Sequence, residues 1–148
     1  MEVLAPISGE VVPLSEVPDE VFAEGMAGDG VAIVPSTSEE AIAPVSGTLV
    51  KLFEGGHAFG ITTDGGVDLI VHLGLDTIRM EGEGFQKLAT EGDLVEAGEP
   101  IVRYDLGAIR EAGYDPVSPV VVPNSDEHPV QNLRNGEVRA GELLFEVG

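Results

Sequence analysis

Apolar residues along this chain arrive in short runs, each closed by Gly, Pro or Asp. The clearest runs cover residues 31–33, 48–53, 58–63, 67–73, 100–104, 117–122 and 143–147. Runs of this length, rich in Val, Ile and Leu and bounded by turn residues, predict an all-β fold, an antiparallel sandwich or barrel. One stretch has helical spacing: Asp105 as N-cap, then 106–112 with Leu106, Ile109 and Ala112 on one face, and Gly113 as the stop. It makes only about two turns, so it serves as a connection. Weaker helical turns are expected near 19–24 and 85–89.

Two internal echoes break the monotony. Residues 5–12, opening Ala5-Pro6-Ile7-Ser8-Gly9, resemble residues 43–50, opening Ala43-Pro44-Val45-Ser46-Gly47, and residues 91–101, with Ala97-Gly98-Glu99, resemble residues 135–144, with Ala140-Gly141-Glu142. They are too short for a solenoid and read as repeated hairpin units within one sandwich.

The chemically informative segment lies between Gly56 and Thr77. His57 opens one apolar run and His72 closes the next, with Asp64-Gly65 between them. Asp-Gly is a preferred centre for a two-residue type I′ hairpin turn. With that turn Thr63 faces Gly66 and, counting outward, His57 faces His72 on the same side of the sheet, with Cβ atoms about 4.5–5.5 Å apart. A three-residue turn would instead send the two imidazoles to opposite faces. Val67, Leu69, Val71 and Leu73 suit a core in either register, so the turn decides. The two-residue turn is the expected one. It pairs Phe59 with Ile70 on the histidine face, an apolar surround suited to docking a protein and excluding water from the imidazoles. The competing structural reading is two hydrogen-bonded histidines beneath a covering loop.

Composition sharpens this picture. The chain has 148 residues, one domain's worth, and 43% of them are hydrophobic, enough for a core. Against 7 Lys+Arg stand 27 Asp+Glu, a formal −20 at pH 7. That balance argues against nucleic acid or an anionic membrane as a direct partner, since both need a basic footprint. There is no Cys, which removes thiol nucleophiles, disulfides and thiolate metal sites. No basic leader and no apolar run of about 18 residues is present, so a cytoplasmic monomer without membrane insertion is expected.

Paired imidazoles without a triad or lysine nearby suit two chemistries. One is metal ligation with a carboxylate as third ligand, although the His-x-His element of zinc peptidases is absent. The other is nucleophilic catalysis, one His attacking phosphorus while the other steadies the equatorial oxygens. Imidazole titrates near ~6.5, so the neutral nucleophile exists at pH 7. His128, in Glu127-His128-Pro129, has no such partner and reads as surface loop.

The ordered segments Ala5-Pro6-Ile7-Ser8-Gly9, Val17-Pro18-Asp19-Glu20-Val21-Phe22, Gly28-Asp29-Gly30-Val31-Ala32-Ile33, His57-Ala58-Phe59-Gly60-Ile61, Val71-His72-Leu73-Gly74-Leu75-Asp76-Thr77, Gly82-Glu83-Gly84-Phe85 and Pro119-Val120-Val121-Val122-Pro123-Asn124 carry a further signal. Together they closely resemble the glucose-family enzyme IIA domain of the bacterial sugar phosphotransferase system, over essentially all of 1–148. The resemblance implies a single domain, a β-sandwich or barrel-sandwich hybrid with one or two very short helices. It implies that His72 accepts a phosphoryl group from the phosphocarrier HPr and passes it to a cysteine of a sugar-permease IIB domain. His57 becomes the stabiliser of the transition state and phosphate, and the Gly74 carbonyl orients the His72 ring. Asp19 and Asp76 match acidic positions that meet basic residues of HPr, and Phe22, Met26, Phe53, Phe59 and Ile70 are the candidate docking patch. Regulated transporters or kinases are further partners implied by the family. No cofactor is required; zinc held by His57, His72 and a partner's carboxylate stays open as an intermolecular feature. One departure stands out. Relatives often carry Thr two residues before the first histidine, bonded to its ring, and here that position is Gly55.

Overall fold

A computed structural model describes residues 1–148. It contains fourteen short strands: β1 Glu2–Leu4, β2 Gly9–Pro13, β3 Asp29–Pro35, β4 Glu39–Ile42, β5 Gly47–Leu52, β6 Ala58–Thr62, β7 Asp68–His72, β8 Phe85–Lys87, β9 Leu94–Val95, β10 Pro100–Tyr104, β11 Ser118–Val122, β12 Val130–Gln131, β13 Gly136–Val138 and β14 Leu143–Val147. The helices are α1 (Glu20–Ala23) and α2 (Leu106–Glu111), with 3-10 turns at Leu14–Glu16 and Thr77–Met80. The expected all-β architecture is the observed one, and every paired strand is antiparallel. An eight-stranded sheet runs in the order β13-β2-β3-β11-β7-β6-β5-β9, and two three-stranded sheets, β1-β14-β12 and β4-β10-β8, complete the sandwich.

Alternation along the central strands separates two apolar layers. Val31 and Ile33 of β3, Leu69 and Val71 of β7, and Val120 and Val122 of β11 enter the main core. Ala32 and Val121, on the opposite face, join Leu14, Val17, Leu75 and Val117 in a smaller cluster, with Phe22 and Ile70 packed against it. All five residues of β11 are buried because it has apolar neighbours on both faces. The 3-10 turn and α1 thus cover the outer face of the large sheet beside the end of β7. This cover is what brings Phe22 to the histidines.

The internal echoes are more than hairpin turns. Ala5 N–H donates to the Glu142 carbonyl and Gly141 N–H to the Ala5 carbonyl; Ala43 and Gly98–Glu99 repeat the same exchange. The two Ala-Pro segments also bond each other, through Leu4 N–H to Pro44 and Ile42 N–H to Pro6. Each echo therefore occupies an equivalent place, and the pair interlocks at the centre of the sandwich.

Three expectations are corrected. The 85–89 segment is not a helical turn: Phe85–Lys87 is strand β8, held by β10 through Tyr104↔Phe85 and Val102↔Lys87. The β6–β7 register is the three-residue one. Thr63 N–H donates to the Val67 carbonyl (2.9 Å) and Gly66, at φ 86°, donates to the Thr63 carbonyl (3.0 Å). Asp64-Gly65-Gly66 is thus a turn followed by a left-handed glycine, and Ala58, not His57, faces His72. As a consequence Phe59 pairs with Val71 instead of Ile70 and lies in the main core at 1% exposure, so it is not part of a docking patch.

Candidate functional site

With that register, strict alternation would place His57 and His72 on opposite faces. Yet their ring centroids are 5.4 Å apart, edge to face. The reason is local. β6 begins only at Ala58, and His57 follows Gly56, whose φ of 81° belongs to the left-handed region. The chain turns from Phe53 to Gly56, closed by a Gly56 N–H to Phe53 carbonyl bond of 2.8 Å, before the His57 carbonyl accepts from Leu73 N–H at 2.7 Å. Out of regular strand, His57 escapes the alternation and its ring reaches its neighbour. The expected pair is real, and its cause is a bend.

The two imidazoles differ in support. His72, partly exposed, donates from Nδ1 to the Gly74 carbonyl oxygen at 2.5 Å; a carbonyl only accepts, so Nδ1 carries the hydrogen and the lone pair is on Nε2. Burial lowers the His72 pKa from its ordinary value, opposed by the Gly74 carbonyl and by the charges of Asp19 and Asp76. His57 is 3% exposed and its Nδ1 has no hydrogen-bond partner. Burial, with a smaller contribution from His72, pushes its pKa down to about 4. Both rings are therefore neutral at pH 7. A Cβ added to Gly55 would lie 3.5 Å from His57 Nδ1 and 3.2 Å from Gly82 N, which locates the departure at Gly55 on the unsupported side of this ring.

Gly74 occupies a position that other residues resist. Its φ is 84°, and a Cβ there would approach Thr77 Cγ2 to 2.7 Å and the Asp115 carbonyl oxygen to 3.2 Å. Thr77, 1% exposed, donates from Oγ1 to the Leu73 carbonyl at 2.8 Å. The loop after β7 is consequently tightly built around the carbonyl that meets His72.

The remaining candidates divide. Phe22 stands edge-on to His72 with centroids 5.8 Å apart, and Phe53 edge-on to His57 at 5.1 Å, with Lys51 Nζ 5.3 Å from the Phe53 ring centre. Both aromatics are half-buried, as is Ile70, whereas Met26 is 70% exposed. Asp19 caps α1, accepting from Val21 N–H at 2.9 Å, and Asp76 stands at φ 60° directly after the histidine loop. Phe59 alone is withdrawn. Ile78, 60% exposed, lines a depression shared with Phe53 and His57 and is an addition to the expected residues; Val21, 48% exposed, precedes Phe22 in α1. Ser118, 2% exposed, accepts from Gly74 N–H at 3.2 Å. Its sequence signal was a single hydroxyl inside the otherwise apolar stretch Val117-Ser118-Pro119-Val120. His128 is apart from the pair, beside a depression lined by both chain ends. No group of three or more His, Cys, Asp or Glu side chains is arranged to hold a metal ion. No helix is long and apolar enough to cross a membrane.

Residues 1–128 match the protein family described as phosphoenolpyruvate-dependent sugar phosphotransferase system, EIIA 1. The chain is 42% identical over 144 residues to the glucose-specific EIIA component of Haemophilus influenzae, covering 97% of this chain and 86% of that one. It is 44% identical over 146 residues to the N-acetylglucosamine-specific EIICBA component of Klebsiella pneumoniae, 97% of this chain but 22% of that one. Among fused relatives of this type the chain spans 20–23% of their length. Glucose permease IIA from Mycoplasma capricolum superposes with a TM-score of 0.91 at 40% identity, covering 98% of this chain and 94% of that one.

Proposed function

The chain belongs to the EIIA 1 family of the phosphoenolpyruvate-dependent sugar phosphotransferase system, and from that premise we propose that it relays a phosphoryl group through His72. The donor is the phosphohistidine of HPr and the acceptor a cysteine of a sugar-permease IIB domain. The single observation that carries this reading is the bond between His72 Nδ1 and the Gly74 carbonyl, which fixes one tautomer and leaves Nε2 as nucleophile.

The chemistry follows from that tautomer. The Nε2 lone pair attacks phosphorus; the new P–N bond forms as the donor's P–N bond breaks, and the donor imidazole leaves with its electron pair. In the second step the cysteine sulfur attacks the same phosphorus and the His72 P–N bond breaks. Developing positive charge on the His72 ring is held by the Gly74 carbonyl, and by Asp19 and Asp76 through the field they exert on it. His57, 5.4 Å away centroid to centroid, offers a neutral N–H to the phosphoryl oxygens. Phe22 and Phe53 wall the two rings and keep water from the labile P–N bond. A zinc ion between His57 and His72 would need a carboxylate from the docked partner, and no step depends on it.

The relay reading is tested by labelling with phosphorylated HPr. His72→Gln abolishes incorporation of acid-labile phosphate. His57→Gln still accepts phosphate but hands it to IIB slowly, by on the order of 10²-fold for loss of one stabilising donor. Label retained in His72→Gln overturns the assignment.

A further inference from the structure

The Gly74 carbonyl must be aimed, and the chain aims it from a distant segment. Its peptide plane continues into Leu75 N–H, which donates to the Asp115 carbonyl at 2.9 Å. The preceding peptide presents Gly74 N–H, which donates to Ser118 Oγ at 3.2 Å. The Ser118 hydroxyl in turn donates to the Pro116 carbonyl at 2.9 Å, and Asp115 Oδ1 accepts from Val117 N–H at 2.9 Å. Both N–H groups flanking Gly74 are therefore gripped by the four residues 115–118, more than forty positions away in sequence. The grip is closed by one side chain.

Ser118 is 2% exposed, on a strand whose residues are all buried. A polar side chain in such a place is costly unless its bonds are made. Here one oxygen accepts and donates at once, which uses a hydroxyl in a way that neither Ala nor Val can reproduce. Bonds in series polarise one another, and the series from His72 Nδ1 through the Gly74–Leu75 peptide to Asp115 ends in the segment that Ser118 ties down. A tautomer is set by the bond at the other ring nitrogen, and that bond is only as well directed as the loop bearing it.

We propose that Ser118 is a positioning residue for phosphoryl transfer: by holding Gly74 N–H against Pro116 it directs the Gly74 carbonyl at His72 Nδ1 and keeps Nε2 as the nucleophilic nitrogen. This rests on the relay reading for its rate but not for its geometry.

The test compares Ser118→Ala, Ser118→Thr and Ser118→Cys with the full chain. Ring nitrogen NMR of unphosphorylated protein at neutral pH reports the His72 tautomer, and rapid mixing with phosphorylated HPr separates the maximal transfer rate from the half-saturating HPr concentration. In Ser118→Ala the His72 signals move from a single Nδ1–H form to a mixture of tautomers. The maximal rate falls on the order of tenfold, the low end for loss of an outer partner that orients a histidine, and the half-saturating concentration is unchanged. Ser118→Thr, which keeps the hydroxyl, restores both. Ser118→Cys, near in size and a weaker donor, falls between them, and it decides the matter if the Ala variant does not fold. Unchanged His72 signals in a folded Ala or Cys variant overturn the proposal, whatever happens to the rate. If the unaltered protein takes no phosphoryl group while the tautomer shift appears, the relay reading fails and the positioning role stands.

Discussion

His57 is held far from the state an imidazole takes in water. It is buried, its Nδ1 is unpaired, and its pKa is pushed down to about 4, first by burial and then by His72. A phosphoryl dianion on His72 reverses the second influence, because negative charge favours the imidazolium. The His57 midpoint therefore rises when His72 is phosphorylated, as followed by NMR titration; an unmoved midpoint would mean that the two rings do not sense each other. The same shift has a stability consequence. Between pH 6.5 and about 4 the unfolded His57 binds a proton that the folded one refuses, so stability is full above pH 6.5 and is lost as pH falls through that window. Urea unfolding of His57→Gln shows a shallower loss than the unaltered chain over the same interval. Gly55→Ser addresses the orphaned nitrogen. Gly55 has no positive φ, and a hydroxyl one bond beyond its Cβ reaches Nδ1, at the cost of a tight 3.2 Å approach to Gly82 N. Satisfying a buried polar atom contributes about 1 kcal/mol or more, so the variant is expected to be more stable and to hold His57 in one tautomer. A destabilised variant with an unchanged His57 ring counts against this.

Among the elements, α1 combines two functions in one carboxylate. It is a single turn, too short to persist alone, and its place over the outer sheet face sets Phe22 against His72. Asp19 holds its first turn through Val21 N–H and also raises the His72 pKa. Asn caps as well as Asp but carries no charge. Asp19→Ala is accordingly expected to cost about 1 kcal/mol in unfolding free energy, whereas Asp19→Asn leaves stability nearly unchanged; both lower the His72 midpoint in NMR titration. Equal stability losses in the two would show that charge, not the cap, holds α1. Elements that announce themselves by local chemistry were readable in the sequence: α2 between Asp105 and Gly113, and the apolar runs of β3, β7, β10 and β11. The meeting of His57 and His72 was also readable, but its register was not. Asp64-Gly65 promotes a two-residue turn, and nothing local reveals that Gly66 adopts the left-handed conformation and lengthens it. That one-residue slip is why Phe59 passed for surface. The helical spacing of 85–89 misleads for a related reason, since Phe85–Lys87 is a strand only because β10 pairs with it. Ser118 escaped notice because its partners lie in another loop.

For the molecule as a whole, charge acts in two directions that salt can separate. Of 27 acidic residues, only Glu40 and Glu142 stand within ion-pair distance of an arginine, at 2.6 Å from Arg103 and 3.6 Å from Arg134. The remaining carboxylates repel one another through solvent, so the folded state carries self-repulsion that added salt relieves. Docking of HPr, in the relay proposed above, has the opposite dependence. Beside the histidines stand Phe22, Phe53 and the exposed Ile78, and the charges of Asp19 and Asp76 act on His72, so a partner with a basic surface is drawn in by the field, and screening slows that encounter. The Debye length shrinks from about 30 Å at 0.01 M to about 8 Å at 0.15 M, a change that reaches across the whole face. Raising salt over this range is therefore expected to increase the melting temperature while lowering the second-order rate of phosphoryl transfer from HPr, with the first-order step inside the complex unchanged. Asp19→Asn with Asp76→Asn flattens the salt dependence of the rate but leaves that of the melting temperature nearly intact, because two charges of twenty are a small part of the self-repulsion and a large part of the docking field. A transfer rate that rises with salt, or a double variant with an unaltered slope, would place capture on some other surface.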